Sequence, residues 1–270
     1  MEVILLAKAK AKAKAKAKAK YIAVAGKGGV GKTTFTALLL RHIVHLLKDI
    51  SVLAVDADPN ANLGEALGLT VSATISELLE QSKDPKAIPA GMPKNIFIEY
   101  KLQQSLVETK DIDFLVMGGP QGAGCYCYPN DLLRKYLENI GENYDYVAVD
   151  SEAGLEHISR RTIPHIDCMF VISDSSARGI RSAGRVYDLI RGLKSPVESI
   201  YLIVTKSTEG SMESLREEIE RTGLTLIGDI PLDPMVVEYD LAGKPLFDLP
   251  DDSVSVKAVE SILNHVGIFN

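Results

Sequence analysis

The residues best placed to do chemistry in this chain form the run Gly26-Lys27-Gly28-Gly29-Val30-Gly31-Lys32-Thr33-Thr34. Gly26, Gly31, Lys32 and Thr33 meet the pattern G-x-x-x-x-G-K-[ST], in which each residue type has a physical task. Glycines let the main chain wrap closely around phosphate oxygens. The N–H groups of Gly28 to Thr34 and the N-terminus of the helix that follows then face the negative charge. Lys32 reaches the β- and γ-phosphates, and the Thr33 hydroxyl joins the shell of a Mg²⁺ ion, which prefers oxygen ligands. The chemistry this implies is binding of a nucleoside triphosphate and transfer of its terminal phosphoryl group.

Two acidic stretches fit the same chemistry. Asp56-Ala57-Asp58-Pro59-Asn60 puts two carboxylates directly after an apolar run, where either a phosphate-sensing loop or a solvated Asx turn is expected. Tyr146-Val147-Ala148-Val149-Asp150 is an apolar run ending in an acid, suited to hold Mg²⁺ directly or through water, and Ser151-Glu152-Ala153-Gly154 follows it. Thr205-Lys206-Ser207-Thr208 matches the start of the guanine-reading pattern [NT]-K-x-D, but Thr208 replaces the aspartate, which favours adenine. It could equally cap an element. Among three cysteines, Cys168 heads an apolar run and reads as a small buried hydrophobe. Cys125-Tyr126-Cys127 lies in a loop after Gly-Pro-Gln-Gly-Ala-Gly. Thiols at i and i+2 suit a disulfide badly, but share one side of an extended segment. Two thiolates per chain fall short of the four ligands that Zn²⁺ or a soft-ligated Ni²⁺ site takes, and a symmetric dimer would supply four.

These residues sit on a regular alternation. Apolar runs at Tyr21–Ala25, Val52–Val55, Phe114–Met117, Tyr146–Val149, Met169–Ile172 and Ile200–Val204 read as buried parallel strands, with amphipathic helical stretches between most of them. Helices are expected over Phe35–Leu47, over Leu132–Asn139 opened by Pro129-Asn130-Asp131, and over Ser211–Arg221 closed by Gly223. This is an α/β fold, a mostly parallel sheet with helices on both faces, in which ligands bind beyond the carboxyl ends of the strands.

At 270 residues with 46% hydrophobic side chains, the chain suits one large domain. No apolar run approaches the ~20 residues needed to cross a bilayer, so a cytoplasmic protein is expected. The net charge of −6 conceals an asymmetry: Ala7 to Lys20 alternates Ala and Lys, leaving 23 basic against 35 acidic residues from Tyr21 onward. An acidic body argues against nucleic-acid binding. The alternating tract is either a basic arm or a low-complexity extension, so residues 1–20 are set apart from a domain over 21–270. His42 and His45, three apart on the first helix, have metal-ligand spacing but no local carboxylate or cysteine, which favours a solvated face. Arg178, Arg181, Arg185 and Arg191 share one helix as a solvent or docking face.

With its extra lysine at Lys27, the loop resembles that of the deviant Walker A ATPases, which include nitrogenase iron protein and the MinD and ParA positioning ATPases. The resemblance implies a nucleotide-sandwich homodimer in which Lys27 reaches the partner's phosphates, acting in trans like an arginine finger. It implies that Asp58 orients or deprotonates the attacking water, that Asp56 lies near the Mg²⁺ shell, and that Gly154 belongs to a second switch loop contacting the γ-phosphate. It also implies that backbone groups around Pro231 and Asp233 read the adenine edge. Together with Cys125-Tyr126-Cys127 and Asp150-Ser151-Glu152-Ala153-Gly154-Leu155-Glu156-His157, these motifs resemble the CooC-type ATPases that insert nickel into carbon monoxide dehydrogenase. The expectation is an ATP-hydrolysing maturation factor with ATP/ADP, Mg²⁺ and Ni²⁺ or Zn²⁺ as its ligands and carbon monoxide dehydrogenase as client. Maturation of acetyl-CoA synthase, or a MinD/ParA-type positioning role, is the alternative. A basic amphipathic C-terminus would suit membrane anchoring, but Ser255 to Asn270 carries only Lys257 as a fixed positive charge. A nitrogenase-like reductase would draw its two cysteines from separate loops.

Overall fold

A computed structural model describes residues 18–118, 127–151, 163, 165–192 and 197–269. Seven parallel strands form one sheet: β1 (Lys20–Gly26), β2 (Val52–Ala57), β3 (Asp113–Val116), β4 (Tyr146–Ser151), β5 (Ile166–Asp174), β6 (Val197–Ser207) and β7 (Thr225–Pro231), in the order β3-β2-β4-β1-β5-β6-β7. Six coincide with the apolar runs read from the sequence. The seventh, β7, escapes that reading because its side chains are mostly half-buried or exposed, as befits an edge strand, and Gly228 interrupts it.

Strand side chains alternate between two cores. Tyr21, Ala23 and Ala25 of β1 face one side with Val147 and Val149 of β4, and Ile22 and Val24 face the other with Ala148. The second core is covered by α1 (Lys32–Leu46), α2 (Leu63–Leu67) and α9 (Val254–Asn264); Phe35, Leu39 and Ile43 of α1 are fully buried there. The first is covered by α3 (Ile75–Gln81), α4 (Lys94–Gln104), α5 (Cys127–Gly141), α6 (Ala177–Gly192) and α7 (Ser211–Thr222). The short α8 (Pro234–Leu241) lies beside the turn Leu246–Asp248.

Helix boundaries follow local chemistry. Thr74 and Glu77 form a reciprocal capping box on α3, and α7 ends, as expected, on Gly223 in the left-handed conformation. By contrast, α5 starts at Cys127 rather than after Pro129. A proline in the first turn removes only an N–H that has no helical partner there. The cysteine pair is thus not wholly in an extended segment: Cys127 opens a helix, and Cys125 lies outside the described residues. His42 corrects a second expectation. It is buried, with its ring edge-on to Phe269, whereas His45 is exposed beside Phe247. The arginines of α6 are exposed as expected, and Arg181 pairs with Glu218 at 3.1 Å. Cys168 is buried in the core, and burial pushes its thiol up to about 12. Among the described residues no helix is long and apolar enough to cross a membrane.

Candidate active site

The sheet order reverses direction at β1: the chain moves from β1 to β2 and β3 on one side, then to β5, β6 and β7 on the other. A crevice forms at such a reversal beyond the carboxyl ends of the strands. The glycine-rich loop from Lys27 to Gly31 sits there, between β1 and α1. Gly26 can tolerate no side chain, because a Cβ would lie 2.3 Å from the carbonyl oxygen of Ile172 on the neighbouring strand. Gly31, with φ 92°, is the left-handed residue that turns the chain into α1.

Strand register then sets the acids. Asp56 and Asp150 are direct partners on β2 and β4, so both carboxylates reach the crevice at one level. Both are fully buried. The Thr33 hydroxyl donates to Asp150 Oδ2 at 2.7 Å, and Thr36, one helical turn further on, lies 3.3 Å from Asp150 Oδ1. Thr36 was not singled out from the sequence. Its i+3 spacing from Thr33 on one helix face is the signal that marks it. Lys32 is buried as well, its Nζ 3.3 Å from the carbonyl of Lys27.

The electrostatics are those of a site short of positive charge. Burial raises the Asp150 carboxyl to about 7. The hydrogen bond from Thr33 and the charge of Lys32 oppose this rise, and the charge of Asp56 adds to it. Asp56 is raised to about 6 by burial, against hydrogen bonds from the N–H groups of Leu63 and Asp58. Thr33, Asp150 and Asp56 form an all-oxygen donor set at a place that favours added positive charge, which fits Mg²⁺. Among the described residues no group of three or more His, Cys, Asp or Glu side chains could hold a metal ion.

Other candidates divide. Lys27, Gly28 and Gly29 are exposed on the loop, and Thr34 is half-buried in the first turn of α1. Asp58 is half-buried past β2. Its Oδ1 accepts from the N–H and the side-chain amide of Asn60, both at 2.9 Å, so the Asx turn is formed at the mouth of the crevice. Thr205 and Lys206 bind the loop itself: the Thr205 hydroxyl donates to Val30 O at 2.6 Å and Lys206 Nζ to Gly29 O at 2.9 Å. Asp233 is an internal cap. Its carboxylate accepts from Met235 N, Ser253 Oγ and Ser255 N, tying α8 to α9. Burial opposes its charge, and these donors outweigh that cost and hold the carboxyl below its ordinary range. Pro231 ends β7 opposite Ser207. Gly154 and Cys125 lie outside the described residues, and Cys127 begins α5.

Comparison with known proteins places this arrangement. The chain is 43% identical over 248 residues to an uncharacterised ATP-binding protein of Methanocaldococcus jannaschii, covering 91% of this chain and 97% of that protein. It is 28% identical over 242 residues to the carbon monoxide dehydrogenase accessory protein CooC of Rhodospirillum rubrum, covering 84% and 89%. The fold matches the septum site-determining protein MinD of Pyrococcus horikoshii, solved with Mg-ADP, at a TM-score of 0.66 and 20% identity, covering 93% of this chain and 99% of that one. Residues 21–246 match the model of the CobQ/CobB/MinD/ParA nucleotide binding domain, and the chain belongs to that family of P-loop proteins.

Proposed function

We propose that this protein hydrolyses ATP in a nucleotide-dependent homodimer and uses the cycle to mature a nickel enzyme, with carbon monoxide dehydrogenase as client. The observation that supports hydrolysis best is the convergence of Lys32, Thr33 and the paired acids Asp56 and Asp150 at the end of β1. Gly28 to Thr34 present N–H groups to the phosphates, and Lys32 neutralises charge on the β- and γ-phosphates. Thr33, Asp150 and Asp56 would hold Mg²⁺, which when bound offsets charge on the phosphate oxygens. Asp58 orients a water whose oxygen bonds to the γ-phosphorus as the bond to the β–γ bridging oxygen breaks. The proton of that water passes to Asp58, and ADP leaves. Lys27 of a second copy neutralises the charge that spreads over the transferring group. Gly154, which is outside the described residues, would offer its N–H to the γ-phosphate, and backbone groups near Pro231 would face the adenine.

Nickel delivery is supported by Cys125-Tyr126-Cys127 and by similarity to the accessory protein of Rhodospirillum rubrum. Two such segments at a twofold axis would give four thiolates for Ni²⁺ or Zn²⁺. In this reading residues 21–270 are the working domain and 1–20 an extension set apart by its composition, except that Ala19 is buried in the core and Lys20 opens β1. The protein acts in the cytoplasm, with neither nucleic acid nor membrane as partner, consistent with an acidic body. Anaerobic titration of the reduced protein with Ni²⁺, followed by thiolate charge-transfer absorbance, tests it. One nickel per two chains, lost in a Cys125→Ser, Cys127→Ser variant, is the expected result. Absence of saturable binding would favour the positioning role that the family also includes. Saturable binding with a different client would point to acetyl-CoA synthase.

A further inference from the structure

The geometry points to Lys206 and Thr205 as positioning residues that hold the phosphate loop in its binding shape, rather than as readers of the base. This inference rests on the loop's being a nucleotide-phosphate site, as proposed above.

Lys206 is not an ordinary strand residue. Its φ is 55°, one of three positive values among non-glycine residues of the described chain. A residue with a Cβ adopts this conformation only at a free-energy cost that its surroundings must offset. The pairing of β6 with β7 also slips here: Thr205 pairs with Ile230 and Ser207 with Pro231, so Lys206 is an unpaired bulge residue. Bulges re-aim side chains, and the structure shows where this one is aimed. Lys206 Nζ donates to Gly29 O at 2.9 Å, across 177 residues of sequence. The bulge is anchored from behind, where Ser175 Oγ donates to Lys206 O at 2.7 Å and Ser207 Oγ bonds Asp229.

Thr205 completes the clamp. Its hydroxyl donates to Val30 O at 2.6 Å, with Ser173 O 3.2 Å away. In a trans peptide the C=O and N–H point to opposite sides. Fixing Gly29 O and Val30 O against β6 therefore turns the N–H groups of Val30 and Gly31 away from β6. Two successive N–H donors so oriented are what a backbone anion nest requires. Free of the clamp, the glycine-rich loop could sample conformations in which these donors diverge, and ligand binding would have to order them. The single Thr205 hydroxyl proton and one of the three N–H donors of the exposed Lys206 ammonium are directed at the loop.

Kd values for MgATP and for inorganic Mg-tripolyphosphate, which has no base or sugar, separate the two roles in the full-length protein. Lys206→Met is expected to weaken both ligands by the same factor, about tenfold, and Lys206→Arg to recover most of the loss. Lys206→Gly removes the amine but relieves the backbone conformation, so it should match or exceed the wild-type melting temperature while losing affinity as Lys206→Met does. Should Lys206→Met fail to fold, Thr205→Val read against Thr205→Ser gives the same comparison. Loss of MgATP affinity with tripolyphosphate binding intact would overturn the clamp in favour of base reading. Unchanged affinity for both ligands would also overturn it, as would affinity that merely follows melting temperature. A wild-type protein that binds neither ligand would instead remove the phosphate-site reading beneath it.

Discussion

At the carboxyl ends of β1, β2 and β4 the chain collects Lys32, Asp56 and Asp150, buried and with both acids held above their ordinary range. At the amino ends of β1 and β4 a C-terminal turn, Gly267–Phe269, closes the sheet. There Lys20 Nζ donates to Ile268 O, as does the Tyr146 hydroxyl at 3.3 Å. Phe269 stacks on Tyr146 with ring centroids 5.9 Å apart and meets the edge of His42. The same strands thus end in unbalanced charge on one side and in apolar closure on the other. Burying charge without full compensation costs stability, so the carboxyl-end arrangement is expected only where a ligand completes it. The amino end needs no ligand, since its contacts are those of a core.

The contrast breaks most sharply at Lys32. Lys32→Ala should lower ATP turnover by about 10²–10³-fold and, by removing the cation that offsets the Asp150 charge, cost the nucleotide-free protein some stability as well; a phosphate-release assay beside calorimetry checks both halves. At the opposite end, Phe269→Ala should cost about 3 kcal/mol of stability in urea and leave turnover per folded molecule unchanged. A fall in turnover would mean that the two ends are coupled. Gly26→Ala lies on the border, because its new Cβ would meet the Ile172 carbonyl. A loss of about 2 kcal/mol or more is expected, together with loss of MgATP binding measured by titration.

The smallest effect sharpens the comparison through pH. Burial holds the His42 imidazole below its ordinary 6.5; Glu260 opposes this shift, and Arg41 and His45 reinforce it. As pH falls through that value the unfolded chain takes up a proton and the folded chain does not. Stability is therefore complete above the unfolded value and declines as pH drops toward the folded one. Thermal melts between about pH 8 and about pH 5 should show a shallower acid limb in His42→Leu than in the wild type. Equal slopes would remove His42 as the source.

Six strands and the helix after the glycine-rich loop were legible because burial on both faces of a parallel sheet imposes continuous apolar runs, and a phosphate loop imposes its own residue types. Those features are local in sequence. The edge strand β7 was not legible, since half-exposed side chains leave no apolar run. The Asp56–Asp150 pairing joins residues 94 positions apart through strand register, and His42 owes its burial to a turn at the far end of the chain. The same holds for Thr205, Lys206 and Asp233, whose residue types suit either a nucleotide contact or a structural bond. Which atoms stand opposite each other decided their partners, and that is fixed by packing across the whole sheet. The sequence by itself determined the elements and the chemistry available at their ends. Only the tertiary structure decided which groups face one another, because hydrogen bonds and charge effects depend on distances of a few ångströms between residues far apart along the chain.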